Sequence, residues 1–318
     1  MSINGKKLKK RGLIIGFVLI IIGLFFANRF IKTKGFDNLI DFNSNYWSNK
    51  SLMDGAKVKE LKLILKDKDL SDKRDADLAR GIQRNDGDNY VKCKIVVDGD
   101  TIKGEMRLKG HMTDHLKGYK WSFRVKTKDK EEEVFGMYRF SLQQPGTRNY
   151  AYEWIYHQLL KQEGIIHLKY DFIKVKLNDK DLGIYAIEEH FGQHILRDNN
   201  RPPGAILRWN PELYWEGRID GMQKTYLDED YSAYESSFAE PYDRGVVKKD
   251  SAILRTYQHA SRMLEGFRRG EMKVSDVFDI EKLARFHAII DLVGGQHSLD
   301  WSDIKFYYNS DTKLIEPV

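Results

Sequence analysis

The feature that most constrains this chain is a long apolar run near its N-terminus. Residues 12–27 contain only apolar residues and glycine, and Phe30 and Ile31 extend the run to 20 residues. Arg29 interrupts the run, but a long basic side chain near a helix end can reach the lipid headgroups. About 20 apolar residues cross the ~30 Å hydrocarbon layer of a bilayer. The run therefore predicts a transmembrane helix over residues 12–31.

The charges beside this run predict its orientation. Residues 1–35 carry eight Lys and Arg and no acid, and five of the eight precede the apolar run. Basic flanks stay on the cytosolic side of a membrane. A cleaved signal peptide is the alternative, but no small-x-small cleavage site follows the run. We therefore expect a cytosolic stub at 1–11, a juxtamembrane linker at 32–57 and a body at 58–318 outside a bacterial cell membrane.

Charge and cysteine content exclude several classes of function. The formal net charge is +6, so removing the eight basic residues of the N-terminal segment leaves about −2 for the rest. Binding to a nucleic acid backbone depends on a basic surface, so nucleic acid is not an expected partner. The single Cys93 excludes an internal disulfide and a thiolate zinc cluster within one chain.

The body alternates between strand and helix patterns, which predicts an α+β fold. Strands with alternating polar and apolar residues are predicted at 59–65, 90–97, 101–108, 119–126, 134–142, 168–177, 182–187, 204–209, 304–308 and 313–318. Amphipathic helices are predicted at 147–163, 189–197, 251–268 and 279–293. On the strand at 119–126, Lys120 and Arg124 share the polar face.

The order of these elements is that of protein kinases: a sheet with a lysine, a helix with an acid, a hairpin, a helical half and an acidic loop. Phosphoryl transfer uses a lysine on the nucleotide phosphates, a helix glutamate that holds it, a carboxylate for the acceptor proton, and oxygen ligands for magnesium. Lys120 and Glu153 are candidates for the first pair, and Asp300 and Asp303 for the other two roles.

Five stretches of the body, taken together, resemble a known family. They read MRLKGHMTDHLKGYKWSFRVK, RFSLQQPGTRNYAYEWIYHQLLKQEGI, LNDKDLGIYAIEEHF, PPGAILRW and HSLDWSDIKFYYNSDTKLIEPV. In these stretches, within roughly residues 90 to 318, the chain resembles the CotH-type kinases, which are named after a spore coat protein. The resemblance implies an atypical kinase-like fold, with an antiparallel sheet lobe and a helical lobe, and ATP-dependent phosphate transfer to exported or envelope proteins.

The resemblance also implies roles for individual residues. Lys120 takes the place of the nucleotide lysine, Glu189 that of the acid in the Gly-x-Tyr-x-x-x-Glu motif, and Asp300 that of the catalytic acid. Asp303 falls near a metal position, so the expected cofactors are ATP and Mg²⁺ or Mn²⁺. Arg124 is a second candidate for the phosphates because its guanidinium can bind them with two hydrogen bonds. No Walker loop is present, and a phosphate-covering backbone is expected elsewhere, near Lys109-Gly110.

Each candidate also has a plainer interpretation. Lys120 fits a solvated side chain on a half-exposed strand, and Glu153 fits an acid that favours the first turn of its helix through the helix dipole. Asp300 fits a turn residue. A catalytically inactive relative that binds or scaffolds envelope components is therefore the alternative function.

Two departures from the kinase pattern bear on the metal site. Asp300 and Asp303 are three residues apart, whereas the usual kinase loop separates its base and its metal-binding Asn by five. A further metal-binding Asp, expected after the last strand, would lie beyond Val318, so the kinase domain at 58–318 reads as truncated at its C-terminal end.

A zinc site was the other metal hypothesis. His190 and His194 are four residues apart on the short helix predicted at 189–197, and this spacing can hold zinc. The residues between them lack the Glu of a metalloprotease motif. The sequence therefore does not predict zinc.

Overall fold

The computed structural model describes residues 3–33, 40, 42, 57–66, 68–81, 90–110, 112–116, 118, 120–223 and 234–318. Most of the linker expected at 32–57 lies outside these ranges. The chain divides into two compact units, residues 1–58 and 59–318, and each is described by itself.

The first unit is built on helix α1, Ile3–Thr33. Its stretch Ile14–Lys32 has a mean hydropathy of 2.4 and is long and apolar enough to cross a membrane. Large side chains around the whole helix, such as Ile14 at 62% and Phe25 at 63%, are exposed. A helix that is apolar on all sides fits a lipid environment better than water. A membrane anchor and a signal sequence both have this form. The predicted span at 12–31 lies within α1, and the helix also includes most of the basic stub.

The second unit begins with a closed barrel of seven strands. They are β1 Glu60–Ile64, β2 Val91–Val97, β3 Asp100–Leu108, β4 Phe123–Thr127, β5 Arg139–Gln143, β6 Tyr170–Leu177 and β7 Lys180–Glu189. Their order around the barrel is β1-β2-β3-β4-β5-β7-β6, and β1 closes it by pairing parallel to β6, with Leu61 opposite Val175. Alternate side chains fill the interior, where Phe123 stacks on Tyr185 with ring centroids 6.4 Å apart.

Helices and a second sheet follow the barrel strands. The helices are α2 Lys68–Arg80, α3 Tyr152–Gln162, α4 Gln193–Asp198, α5 Glu212–Gln223, α6 Arg244–Lys249, α7 Ser251–Arg268, α8 Val274–Val277 and α9 Ile280–Val293. Strands β8 Ile206–Trp209, β9 Ala239–Pro241, β10 Lys305–Asn309 and β11 Leu314–Pro317 form the sheet in the order β11-β10-β8-β9. Helix α7 packs on this sheet through a core that includes Leu264, Trp209 and Phe306.

A buried carboxylate fixes the last strand of this sheet. The Glu316 side chain is 0% exposed and accepts from Arg201 Nε at 2.8 Å and Asn309 Nδ2 at 2.7 Å, with Lys282 Nζ at 3.2 Å. A buried charge is tolerated only where partners compensate its lost hydration. The network therefore ties β11 to its neighbour β10 and to helix α9, which flank the loop that carries Asp300.

The α+β class is confirmed, but the expected lobe arrangement is not what the structure shows. The barrel is closed and contains a parallel strand pair, and the second half has its own sheet instead of helices alone. Leu61 pairs with Val175, 114 residues later in the chain. No local pattern in the sequence reports a pairing over this distance, so closure was not predicted.

Four predicted elements have different bounds. The strand predicted at 134–142 is β5, Arg139–Gln143, which begins five residues later. The strand predicted at 119–126 is β4, Phe123–Thr127, so Lys120 precedes the strand. The helix predicted at 147–163 begins only at Tyr152. Asn149 and Tyr150, just before it, have left-handed φ angles of +48° and +60°. Residues 189–190 continue strand β7, since His190 N donates to Arg139 O at 3.1 Å, and α4 starts at Gln193. His190 and His194 therefore do not share a helix face.

Closure of the barrel predicts a large effect of truncating a β1 core residue. Leu63 is fully buried, and Leu63→Ala should lower the free energy of unfolding by about 2–5 kcal/mol because it leaves a cavity. Ile64, the next residue, is 37% exposed and points outward, so Ile64→Ala should cost about 1 kcal/mol or less. Denaturant unfolding of both variants measures this, and equal losses would contradict a closed barrel at β1.

Candidate active site

A row of polar side chains crosses the outer face of the barrel. Arg107 on β3 pairs with Arg124 on β4, Arg124 with Ser141 on β5, Ser141 with Glu188 on β7, and Glu188 with Tyr170 on β6. Residues that face each other across neighbouring strands project to the same side of a sheet. The five side chains therefore lie next to one another, opposite the apolar interior. We call them the polar row.

A buried ion pair lies at the centre of this face. Lys109, just after β3, places its Nζ 2.6 Å from Glu188 Oε2, and the two side chains are 12% and 16% exposed. Gln143 also donates to Glu188. Burial raises the pKa of Glu188, but Lys109 and Arg124 lower it more, so it falls to about 2. Burial lowers the pKa of Lys109 to about 8 against the opposing effect of Glu188. Both groups are charged at neutral pH.

The face has an excess of positive charge. Burial lowers the pKa of His190 well below its usual value, and the cations Arg124, Arg139, Lys109 and Arg107 lower it further. The ring of His190 is therefore neutral at physiological pH. Burial also lowers the pKa of Arg124. Because Glu188 offsets only one of these cations, the site favours an anion.

Several buried polar atoms on this face have no hydrogen-bond partner. Among the described residues, eleven buried side-chain atoms lack one. Six of them lie here: Arg124 Nε, Arg139 Nε, Ser141 Oγ, Gln143 Oε1, Tyr170 Oη and His190 Nδ1. Buried polar groups are almost always paired in folded proteins, so a concentration of unpaired ones indicates a place for a polar ligand. The unpaired guanidinium donors fit the phosphate oxygens of a nucleotide.

Helix α3 covers one side of the polar row. Glu153, in its first turn, lies 3.3 Å from Arg148 Nε, in the turn before the helix. Burial and the nearby Glu188 raise the pKa of Glu153. One turn further on, the ring of His157 stacks against Tyr170 with centroids 5.7 Å apart. The structure thus brings Glu153 to the polar row, but its ion-pair partner is Arg148 and not Lys120, with which it was predicted to pair.

The side chain of Lys120, the predicted nucleotide lysine, contacts strand β7 at a different place from Lys109. Its Nζ donates to Ile184 O at 3.1 Å and lies 5.6 Å from the ring centroid of Tyr185. Ile184 and Glu188 are four residues apart, about 13 Å along a strand. The lysine that meets the acid of the polar row is Lys109. The sequence offered one signal for it, the Lys109-Gly110 step after a predicted strand.

Glu189 points away from the polar row, because successive side chains of strand β7 point to opposite faces of the sheet. It is 1% exposed and accepts from the backbone N of Lys169 at 2.9 Å, with Lys169 Nζ and His194 Nε2 both at 3.3 Å. Successive residues on a strand point to opposite faces. Glu188 therefore joins Arg124 and Glu153, whereas Glu189 belongs to a different buried network.

The acids predicted for catalysis and metal binding come together with a histidine in the loop between α9 and β10. His297 Nδ1 is 2.7 Å from Asp300 Oδ2, and His297 Nε2 is 3.5 Å from Asp303 Oδ2. One donor atom from each of the three residues lies within 4.8 Å of the others, a spacing compatible with metal binding by members of the set. His297 was not among the predicted site residues, although its spacing of three residues from Asp300 was a signal.

Helix α3 connects this loop to the polar row. Tyr156 follows Glu153 by three residues, which places both on adjoining positions of the helix surface. The Tyr156 hydroxyl interacts with Ser298, next to His297, and burial and Glu153 raise the pKa of Tyr156. Leu299 and Ile304 pack against the apolar cluster between α3 and α9. The polar row and the loop therefore border the same two turns of one helix.

A comparison with protein families finds a match over most of the second unit. A sequence profile of the CotH kinase protein family matches residues 106–314, which is 209 of the 318 residues. The match includes the polar row and the loop with His297, Asp300 and Asp303. No curated protein matches the chain.

The lowered pKa of Glu188 predicts a pH-dependent contribution to stability. Its carboxylate has a pKa near 2 in the folded state and near 4.5 when unfolded, so the stabilisation is present above pH 4.5 and is lost as pH falls towards 2. The loss amounts to about 3 kcal/mol. Denaturant unfolding of the parent and of Glu188→Gln between pH 6 and pH 2.5 measures it. The parent should lose more stability than the variant, and parallel curves would contradict the assignment.

Proposed function

Because this chain belongs to the CotH kinase family, we propose that its body transfers the γ-phosphate of ATP to Ser or Thr hydroxyls of envelope or secreted proteins. The observation that carries this proposal is the polar row, where buried guanidinium donors without partners lie in a cluster with excess positive charge. A nucleotide triphosphate is an anion with many acceptor oxygens, and Arg groups bind such oxygens with paired, charge-assisted hydrogen bonds.

In this proposal Arg124 and Lys109 hold the phosphates. Arg124 supplies a fixed fork of donors, and Lys109 supplies a point charge that Glu188 orients. In kinases a lysine held by an acid positions the phosphates and neutralises their charge, and these two effects provide most of the catalysis in phosphoryl transfer. Lys109 and Glu188 have the same role in this proposal. The family resemblance indicates Lys120 for the same role. Lys109 and Lys120 are therefore alternative phosphate-binding residues, and mutation of each distinguishes them.

The loop between α9 and β10 supplies the groups that act on the acceptor. Asp300 accepts the proton of the acceptor hydroxyl, since its side chain is 58% exposed and open to a protein substrate. Asp303 is the expected metal ligand. A divalent cation bound there would neutralise charge on the phosphates during transfer.

The N-terminal helix fits an uncleaved anchor in this proposal. The eight basic residues among the first 35 favour a cytosolic N-terminus, with the kinase body on the outer side of the membrane. Anchoring would hold the body close to exported proteins as they leave the cell.

Nucleotide binding distinguishes the two lysines. Mg-ATP at 100 times its dissociation constant should stabilise the full chain by about 2.7 kcal/mol in a thermal-shift titration. Arg124→Ala and Lys109→Ala should remove most of this gain, because each deletes a cation that contacts phosphate in the proposal. Lys94→Ala, an exposed residue on β2, is the control and should keep the gain. If Lys120→Ala removes the stabilisation by Mg-ATP while Lys109→Ala does not, the phosphates bind near Lys120 and the proposed site at Lys109 is wrong.

Catalysis is tested separately from binding. Asp300→Asn keeps the size of the side chain but removes the base, so phosphate transfer to an exported acceptor protein should fall by at least about 100-fold. The nucleotide-induced thermal shift should remain. Transfer of ³²P from labelled ATP measures the first and thermal shift the second. Full transfer by this variant would exclude Asp300 as the base, and absent transfer with intact binding in the parent would favour the inactive binding protein.

A further inference from the structure

The ring of His297 contacts two carboxylates through its two nitrogens. Nδ1 is 2.7 Å from Asp300 Oδ2, a full hydrogen bond, whereas Nε2 is 3.5 Å from Asp303 Oδ2, which is longer than a charge-assisted hydrogen bond. The side chains of His297, Asp300 and Asp303 are 69%, 58% and 41% exposed. The group is therefore open to ions and to a substrate.

The unequal distances have a chemical explanation. A histidine that binds a metal usually donates its other ring N–H to a carboxylate, which fixes the tautomer and orients the ring. Donation from Nδ1 to Asp300 leaves a lone pair on Nε2, the ring nitrogen measured against Asp303 Oδ2. Two ligands at right angles on a cation, each at about 2.1 Å, are about 3 Å apart. The separation of 3.5 Å between Nε2 and Oδ2 is close to this value.

We propose that His297 Nε2 and Asp303 Oδ2 together ligate a divalent transition metal ion of the Mn²⁺ class. Asp300 acts on this site as a positioning residue through Nδ1 of His297, and its Oδ1 stays available for the acceptor hydroxyl. The proposal deepens the kinase function above by naming the ligands and the class of its metal. Mg²⁺ prefers oxygen ligands alone, whereas an imidazole nitrogen shifts preference towards transition metals.

Manganese binding to the full chain in detergent tests this site directly. Titration with Mn²⁺, followed by the electron paramagnetic resonance signal of free Mn²⁺, gives the affinity, and pulsed measurements detect a ¹⁴N nucleus bound to the metal. We expect one bound Mn²⁺ with imidazole nitrogen coupling. His297→Ala should lose the coupling and weaken binding at least about tenfold. His287→Ala, which changes an exposed histidine on α9, should change neither.

Two further variants make the assignment sharper. His297→Asp replaces nitrogen by oxygen, so binding should persist while the preference for Mn²⁺ over Mg²⁺ falls at least about tenfold. Asp300→Asn should keep the nitrogen coupling but weaken Mn²⁺ binding about 10-fold or more, because the ring loses its acceptor.

The results separate this proposal from the kinase function. Nitrogen-coupled Mn²⁺ in a protein that transfers no phosphate would support the metal site and contradict the kinase proposal. Phosphate transfer together with bound Mn²⁺ that shows no nitrogen coupling would overturn the role of His297 alone. Binding that is unchanged by His297→Ala would also overturn the role of His297 as a metal ligand, and would leave it as a hydrogen-bond partner of Asp300.

Discussion

The parallel pairing of β1 with β6 is the constraint on which the site depends. It closes the barrel, so the apolar side chains of all seven strands can be buried inside. Arg107 on β3, Arg124 on β4, Ser141 on β5 and Glu188 on β7 are then directed to the outer face, where they become neighbours in one row. An open sheet would leave β1 and β6 as edges and would expose the apolar side chains that the barrel encloses.

The outer face of the barrel carries several buried charged side chains, and burial of each one costs free energy. Lys109 and Glu188 compensate each other, and the resulting pair is charged over the range between their altered pKa values. Arg124 and Arg139 retain buried donors without partners, and the neutral ring of His190 adds no charge. A stable protein keeps such groups where a ligand completes their interactions. An anion with several oxygens, such as a triphosphate, would meet this requirement, and helix α3 borders both this face and the loop with Asp300.

Local patterns in the sequence predicted what depends on neighbouring residues. The apolar helix, the β2–β3 and β6–β7 hairpins, helices α7 and α9 and the proximity of Asp300 to Asp303 all follow from short-range signals. Glu189 was predicted as the acid of the site from the family motif. Strand alternation instead places its neighbour Glu188 on the face with Arg124. Lys109 was not chosen because its partner lies 79 residues away, and closure of the barrel involves pairs even further apart. Sequence spacing does not report contacts of this range.

A structure of the full chain with a non-hydrolysable ATP analogue and Mn²⁺ tests the central claim most directly. The account predicts phosphate oxygens within hydrogen-bond distance of Arg124 and Lys109, with the metal between the phosphates and the loop that holds Asp303. An analogue bound away from the outer face of β3, β4 and β5, with the donors of Arg124 and Arg139 still unpaired, would contradict it.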